Sequence, residues 1–185
     1  SGSWEETQLM GITQQVAEFV TGTDSRDVPP EAIERARLAI LDCLGVALAG
    51  AAEPVGRKVA DLVASLGGSP QSTVLGAGLK TSAPQAALAN GAMAHALDYD
   101  DTSPSMLGHP SVGLVSAILA LGEMEGASGL DVLTSYVLGF EVQARLGAAL
   151  NPGLCDAGWH STDALGSMGA AAAGARVLGL TSAET

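Results

Sequence analysis

Between Asn90 and Gly113 the sequence reads Asn-Gly-Ala-Met-Ala-His-Ala-Leu-Asp-Tyr-Asp-Asp-Thr-Ser-Pro-Ser-Met-Leu-Gly-His-Pro-Ser-Val-Gly. His95, Asp98, Asp100, Asp101, Thr102 and His109 fall within fifteen residues of it, between two apolar stretches, in a chain of which only 15% is charged. Carboxyl and imidazole groups accept and deliver protons near neutral pH. Three aspartates in one turn repel one another when all are ionised, so at least one must be paired, metal-bound or raised in pKa. A raised carboxyl suits a general acid, and an ionised neighbour suits a base. His109 precedes Pro110, which favours the first turn of a helix, so it sits where backbone N–H groups favour anions. A third histidine, His160, follows Trp159 in a loop that leads into a run of small residues.

These residues also have plain structural readings. Asp98 can be a polar residue at a helix end, and Asp100-Asp101-Thr102 an Asx-type turn that caps local backbone. His95, three residues before Asp98 and on the same helix face, can be a satisfied structural polar group. Two other chemistries fit parts of the stretch. Asp98-Tyr99-Asp100-Asp101 matches the Asp-x-Asp-Asp acid of class II terpene cyclases, but carbocation pockets are walled with aromatics and this chain is 3% aromatic. Carboxylates and histidines also suit a divalent metal. No second ordered ligand set accompanies them, and a metal-free site is the expectation.

Composition narrows the function classes. The net charge of −12 excludes nucleic acid as a partner, because lysines and arginines meeting phosphates dominate that binding. Eight basic residues are present, and none lies between Lys80 and Arg145, the interval that holds the acidic cluster. An anionic substrate bound there needs cations from another segment. With 47% hydrophobic residues the chain is short of polar surface, which predicts a large apolar interface and self-association. The charge-free apolar run Pro110 to Gly122 covers thirteen residues, short of a membrane span. Cys43 lies in an apolar helical run and Cys155 in a loop, without metal-type spacing, so both read as free thiols of a cytoplasmic protein. Ser1-Gly2-Ser3 reads as a cloning remnant, leaving residues 4–185 as one helical domain.

Hydrophobic periodicity predicts about seven helices and at most one short strand. The first runs from Thr7 to Val20 with Gly22 as its stop. The second opens at Pro29-Pro30 and continues to about Gly50, with Asp42 either a buried acid or a charge on the helix face. The third runs from Pro54 to the Gly67-Gly68 stop, and Gln71 to Leu75 is the candidate strand. Ser82 or Thr81 caps an alanine-rich helix from Ala83 to Asp98. Pro110 starts another, ending near Gly126, and Ser128 with Asp131 caps the next, which reaches Leu150. Asn151-Pro152-Gly153 is a turn. A helix of small residues from Thr162 to Leu178 suits a central position gripped by its neighbours. Thr181-Ser182-Ala183-Glu184 has the spacing of a capping box, so a further helix is expected to begin there.

Five motifs together resemble the MmgE/PrpD family of 2-methylcitrate dehydratases, cis-aconitate decarboxylases and epimerases of small amino-dicarboxylates. They are Pro30-Glu31-Ala32-Ile33 with Leu41-Asp42-Cys43-Leu44-Gly45; Asn90-Gly91 with His95-Ala96-Leu97-Asp98-Tyr99-Asp100-Asp101-Thr102; Gly108-His109-Pro110-Ser111; Gly139-Phe140-Glu141-Val142-Gln143-Ala144-Arg145; and Trp159-His160-Ser161 leading to Leu165-Gly166-Ser167-Met168-Gly169-Ala170-Ala171. The resemblance implies an all-α domain in which Asp98, Thr102, His109 and His160 line the active-site pocket. It implies a homo- or hetero-oligomeric lyase that acts on a small polycarboxylate without cofactor, dehydration of a 2-methylcitrate-like acid being the first choice. His109 and His160 are then the acid/base pair, Asp98 orients or protonates, and Thr102, Asp101 and His95 contact substrate.

Family members are longer, and the resemblance places carboxylate-binding lysines and a second, smaller α+β domain in a part this chain lacks. The expectation is therefore an N-terminal portion, incomplete at its C-terminus and inactive without a complementary half or second subunit. The alternatives are a cis-aconitate decarboxylase, an iminodisuccinate-type epimerase, or a short or split chain that serves as a non-catalytic binding partner.

Overall fold

The computed structural model describes residues 11–185. Ser1-Gly2-Ser3 and the first residues of the expected opening helix, Thr7 to Met10, lie outside the described residues. The elements in order are α1 (Ile12–Gly22), a 3-10 turn (Ser25–Asp27), α2 (Pro30–Gly50), α3 (Pro54–Leu66), β1 (Ser72–Val74), β2 (Leu79–Thr81), α4 (Ala83–Ala94), α5 (Pro110–Glu125), α6 (Gly129–Leu150), α7 (Gly153–Asp156) and α8 (Ser161–Val177). The chain is an all-α bundle with one small hairpin.

Local chemistry sets most boundaries where the sequence predicts them. Proline occupies the first turns of α2, α3, α4 and α5, where its missing N–H has no helical partner in any case. Ser128 and Asp131 form a reciprocal capping box at the start of α6. At the C-terminal end of the chain, the Glu184 carboxylate accepts the Thr181 N–H at 3.0 Å, and Thr185 N–H reaches the Thr181 carbonyl, as the first turn of a helix requires.

The structure departs from expectation at four places. α4 stops at Ala94 rather than Asp98, with His95 as its C-cap, and Asp98 adopts a left-handed φ of 50° that no helix continues through. The predicted strand is joined by β2, which pairs with it antiparallel from Ser72↔Thr81 to Val74↔Leu79, because an isolated strand leaves its backbone unsatisfied. The turn after Asn151 contains the one-turn helix α7, which brings the described total to eight. The small-residue helix α8 is not central: Asp163, Ser167, Met168 and Ala171 face outward. The centre is α5, whose Leu114 and Ile118 have no exposure and which packs against α2, α4, α6 and α8.

Small residues serve close one-sided approach instead. A Cβ on Gly139 of α6 would lie 2.7 Å from the Gly169 carbonyl of α8 and 2.6 Å from a Leu114 methyl. The two backbones therefore touch where α6 crosses α8. Cys43 is buried and its thiol is pushed up to about 12, by burial first and the Asp101 and Asp100 charges next, so it is structural and inert. Asp42 is exposed on α2 and is the helix-face charge of the two alternatives. Among the described residues no single helix is long and apolar enough to cross a membrane.

Two consecutive helices keep large apolar side chains in the open. Leu38, Leu41 and Leu48 of α2 and Val55, Leu62 and Leu66 of α3 are all exposed. Large apolar patches on a soluble chain mark interaction surfaces. The isolated chain is therefore expected to elute above monomer mass in size-exclusion chromatography with light scattering at micromolar concentration, and a monomeric peak would contradict this. At the helix crossing, Gly139→Ala is expected to lower unfolding free energy in urea by about 1–3 kcal/mol, the usual cost of overpacking.

Candidate active site

The helix break places the chemistry. Because α4 ends at Ala94, the chain turns back and carries Asp98, Asp100 and Asp101 past the N-terminus of α5. His95 and Asp98 do not share a helix face as expected. Instead the Asp100 carboxylate, whose side chain has no exposure, sits beside two histidines. His95 Nδ1 lies 3.0 and 3.2 Å from its two oxygens. His109 Nδ1 lies 3.3 Å from the Asp100 backbone carbonyl and 3.4 Å from its carboxylate. On the other edge of the same ring, His109 Nε2 is 3.3 Å from Asp98 Oδ1, and the Asp98 side chain is 80% exposed. The His95 and His109 rings meet edge to face with centroids 4.9 Å apart.

His160 joins from α8, where it is the N-cap residue, with its ring centroid 6.4 Å from that of His95 and Nδ1 3.4 Å from Asp163. His95, Asp98, His109 and His160, from three segments, thus line one open face, with the Asp100 carboxylate buried behind them. Ligand atoms of His95, Asp98, Asp100 and His109 fall within 4.8 Å of one another, a spacing a divalent cation could bridge in place of the existing hydrogen bonds.

The loop that carries His109 is fastened on both sides. Its N–H donates to Thr162 Oγ1 at 3.0 Å, which ties it to the start of α8. A Cβ on Gly108 would lie 2.8 Å from that same Oγ1, so glycine is required for the approach. Ser103 and Gly108 close the loop with a β-bridge, Met106 is fully buried, and Asn151 Nδ2 donates to the Met106 carbonyl at 2.7 Å. Leu107 takes a left-handed φ of 50° to make the turn. These fastenings leave His109 little freedom to swing away from Asp100.

Asp101 and Thr102 lie elsewhere. Both Asp101 oxygens are taken by Ser111, one by its N–H at 3.0 Å and one by its hydroxyl at 2.7 Å, and that hydroxyl is 2.6 Å from the Tyr136 OH. Asp101 therefore caps α5. Burial raises its pKa against the lowering effect of the Ser111 bonds, and the neighbouring Asp100 charge adds to the rise. Burial also pushes up the Tyr136 hydroxyl. Thr102 is exposed and lines, with Asp101, Asp42, Arg35 and Phe140, a groove of about 680 Å³ between α2 and α6. A second groove of about 420 Å³, walled by small residues of α4, α5 and α8, opens beside His95, Thr162 and Asp163. The two grooves share no lining residue.

The residue that sequence reasoning passes over is Asp100. Among three aspartates in four positions nothing marks which is buried. The available signal is that His95 and Asp100 flank the end of a helix, where a turn can fold one back on the other. The expectation that one of the three must be paired or raised is met twice over, by the pairing of Asp100 and the raised Asp101. Lys80 and Arg145, which bracket the cation-free interval, are engaged with Glu123 at 3.3 Å and Glu141 at 2.5 Å.

A helical domain that folds a His–Asp cluster onto the break between two helices, fastened by a Gly-His-Pro turn, matches the N-terminal domain of MmgE/PrpD proteins over residues 14–185. The chain belongs to that family. Among curated relatives it is 30% identical to "Cis-aconitate decarboxylase-like protein oryM" of Aspergillus oryzae, over 98% of this chain and 39% of that protein. It is 29% identical to a cis-aconitate decarboxylase of Aspergillus terreus, over 92% of this chain and 36% of the relative. It is 31% identical to that of Homo sapiens, over 95% and 38%. Decarboxylases are lyases, so the family reading and these names agree at that level. The chain spans less than two fifths of the length of the relatives it matches.

The raised pKa of Asp101 has a definite consequence for stability. A group whose folded pKa lies above its unfolded value contributes stability at low pH that is lost as pH rises through the folded value. Asn at position 101 can still accept the Ser111 N–H but cannot ionise. The urea-unfolding free energy of Asp101→Asn, relative to the unaltered chain, is therefore expected to rise as pH increases from the ordinary carboxylate range through the raised folded value, and then level off. A flat or falling difference would refute the assignment.

Proposed function

We propose that this chain forms the proton-transfer wall of a cofactor-independent lyase acting on a small polycarboxylate. The observation that carries the reading is the convergence of His95, Asp98, His109 and His160 on one open face around the buried Asp100 carboxylate. The first-choice reaction is decarboxylation of a cis-aconitate-like acid, favoured by the names of the relatives. Dehydration of a 2-methylcitrate-like acid is the second, and the geometry suits it equally.

Both reactions ask the same of the protein. When a carbon–carboxyl bond breaks, its electron pair enters the adjoining double-bond framework, and a proton must arrive at carbon to end the step. When water is lost, a base removes a proton from carbon while an acid protonates the departing hydroxyl. The His109–Asp98 contact sets an imidazole nitrogen 3.3 Å from an exposed carboxylate oxygen, where a proton can pass to or from substrate. His160, on the same face, is the second acid/base group. Thr102 and Asp101, set on the other groove, act on substrate where it extends there, and Asp101 also holds the start of α5 through Ser111.

The substrate's carboxylates need cations, and the chain carries none between residues 80 and 145. In this reading they come from a segment beyond this chain or from a second subunit, and the small-residue groove beside His95 lies next to the place they must reach. A polypeptide that combines this region with its complementary C-terminal part is expected to turn over cis-aconitate, or failing that 2-methylcitrate, monitored by loss of substrate and release of carbon dioxide. His109→Ala is expected to lower kcat by about 100- to 10,000-fold, and EDTA to leave the rate unchanged. No turnover of either acid by the folded, assembled protein would refute the lyase reading, and loss of activity on chelation would restore a metal.

A further inference from the structure

We propose that Asp100 is the positioning residue of this site: its side-chain carboxylate and its backbone carbonyl take the Nδ1–H of His95 and of His109, fixing both rings as Nδ1–H tautomers with Nε2 turned to the open face. The assignment rests on the proposed lyase reading for its catalytic meaning, but not for its geometry.

The argument begins with acceptors. A neutral imidazole carries one N–H and one lone pair, and its partners decide which nitrogen holds the hydrogen. A backbone carbonyl can only accept. The 3.3 Å contact from His109 Nδ1 to the Asp100 carbonyl therefore requires hydrogen on Nδ1. The Asp100 carboxylate, with no side-chain exposure, has His95 Nδ1 at 3.0 and 3.2 Å from its two oxygens, so hydrogen belongs on that Nδ1 also. A carboxylate that fixes an imidazole through Nδ1 leaves Nε2 free for chemistry, the same logic by which a buried carboxylate orients a catalytic or metal-bound histidine.

The two Nε2 atoms then differ in what they face. His109 Nε2 lies 3.3 Å from Asp98 Oδ1. With hydrogen on Nδ1, His109 turns its Nε2 to that exposed carboxylate oxygen. Among the described residues His95 Nε2 has no such carboxylate, and the His95 side chain is 35% exposed beside the small-residue groove. The two Nε2 atoms thus meet different surroundings, with both rings set by a single residue whose side chain does not itself reach the open face.

The chain contains three histidines, so the ring nitrogens can be read individually by long-range ¹H–¹⁵N correlation on the labelled chain, without substrate or partner. At a pH where free imidazole is neutral, Nδ1 of His95 and His109 is expected to be protonated, against the Nε2–H preference of free imidazole. An unprotonated Nδ1 on either ring would overturn the proposal. In Asp100→Ala, His95 is expected to revert to the Nε2–H form while His109, held by the carbonyl, keeps hydrogen on Nδ1. Should that variant fail to fold, Asp100→Asn preserves the shape, and the unaltered chain alone still decides the tautomers. In the assembled enzyme, Asp100→Asn is expected to lower kcat by about 10- to 100-fold with KM little changed. A KM effect without a kcat effect would make Asp100 a substrate contact instead. Tautomers as stated in an assembled protein that turns over neither acid would leave the positioning role intact and refute only the lyase reading.

Discussion

A carboxylate removed from water loses its hydration and must recover the loss from donors close at hand. Asp100 meets that condition with the Nδ1 group of His95 on its carboxylate, its backbone carbonyl holds that of His109 beside it, and the surrounding chain is arranged to bring both there. His95 must leave the end of α4 at a defined angle, which requires the helix to stop at Ala94. His109 must approach from the far side of a fifteen-residue excursion, which requires a loop tight enough to return to its starting point. The left-handed backbone at Asp98 and Leu107 is where the chain absorbs that geometry. Strain at those two residues is tolerated because burial of Met106 and the bonds from Thr162 and Asn151 hold the loop from outside it.

The same fastenings explain why the bundle is built from small residues where it is. Thr162 reaches the His109 backbone only because Gly108 leaves room for it. Gly147 lets the Ser105–Met106 backbone lie against α6, since a Cβ there would come within 2.7 Å of the Ser105 carbonyl. Gly139 and Gly169 let α6 and α8 touch. Gln143 follows one turn after Gly139, fully buried, and donates to the Pro110 carbonyl at 2.9 Å, which ties the start of α5 to the same crossing. Close backbone packing behind the site thus sets the rigidity of the face in front of it.

What could be read from the sequence follows from how local each determinant is. Proline in a first turn, Ser128 with Asp131, and glycine after a periodic run act within a few residues, and the helices they bound fell where those signals placed them. The end of α4 was misread because nothing local stops it: alanine and leucine continue the pattern, and the helix breaks to satisfy Asp100 from across the fold. The one-turn helix α7 and the partner strand β2 escaped for the same reason, being too short for periodicity to register. The positions of His109 and His160 at helix starts were legible because a proline and a run of small residues mark the helices they precede, whereas their grouping in one pocket rested on the family resemblance. Asp101 was legible as an acid that caps backbone, but not as the cap of α5, ten residues on. Asp100 was invisible as a hub, since burial is a property of the folded neighbourhood.

The charge pattern takes its meaning from this arrangement. A wall of histidines and aspartates is poorly suited to attract a polyanion, and the cations nearest in sequence are tied to glutamates. It is well suited to hold protons at fixed places. In the proposed lyase the two tasks are therefore divided in space: this domain stores and positions protons, and the carboxylates are gripped by residues that approach from elsewhere. Such a division keeps lysine ammonium groups from pairing with Asp98 and Asp100 before substrate arrives, which would neutralise both the grip and the acid. A domain that needs no cation of its own can then have a low charge fraction, an acidic face and an apolar flank, the composition seen along the whole chain.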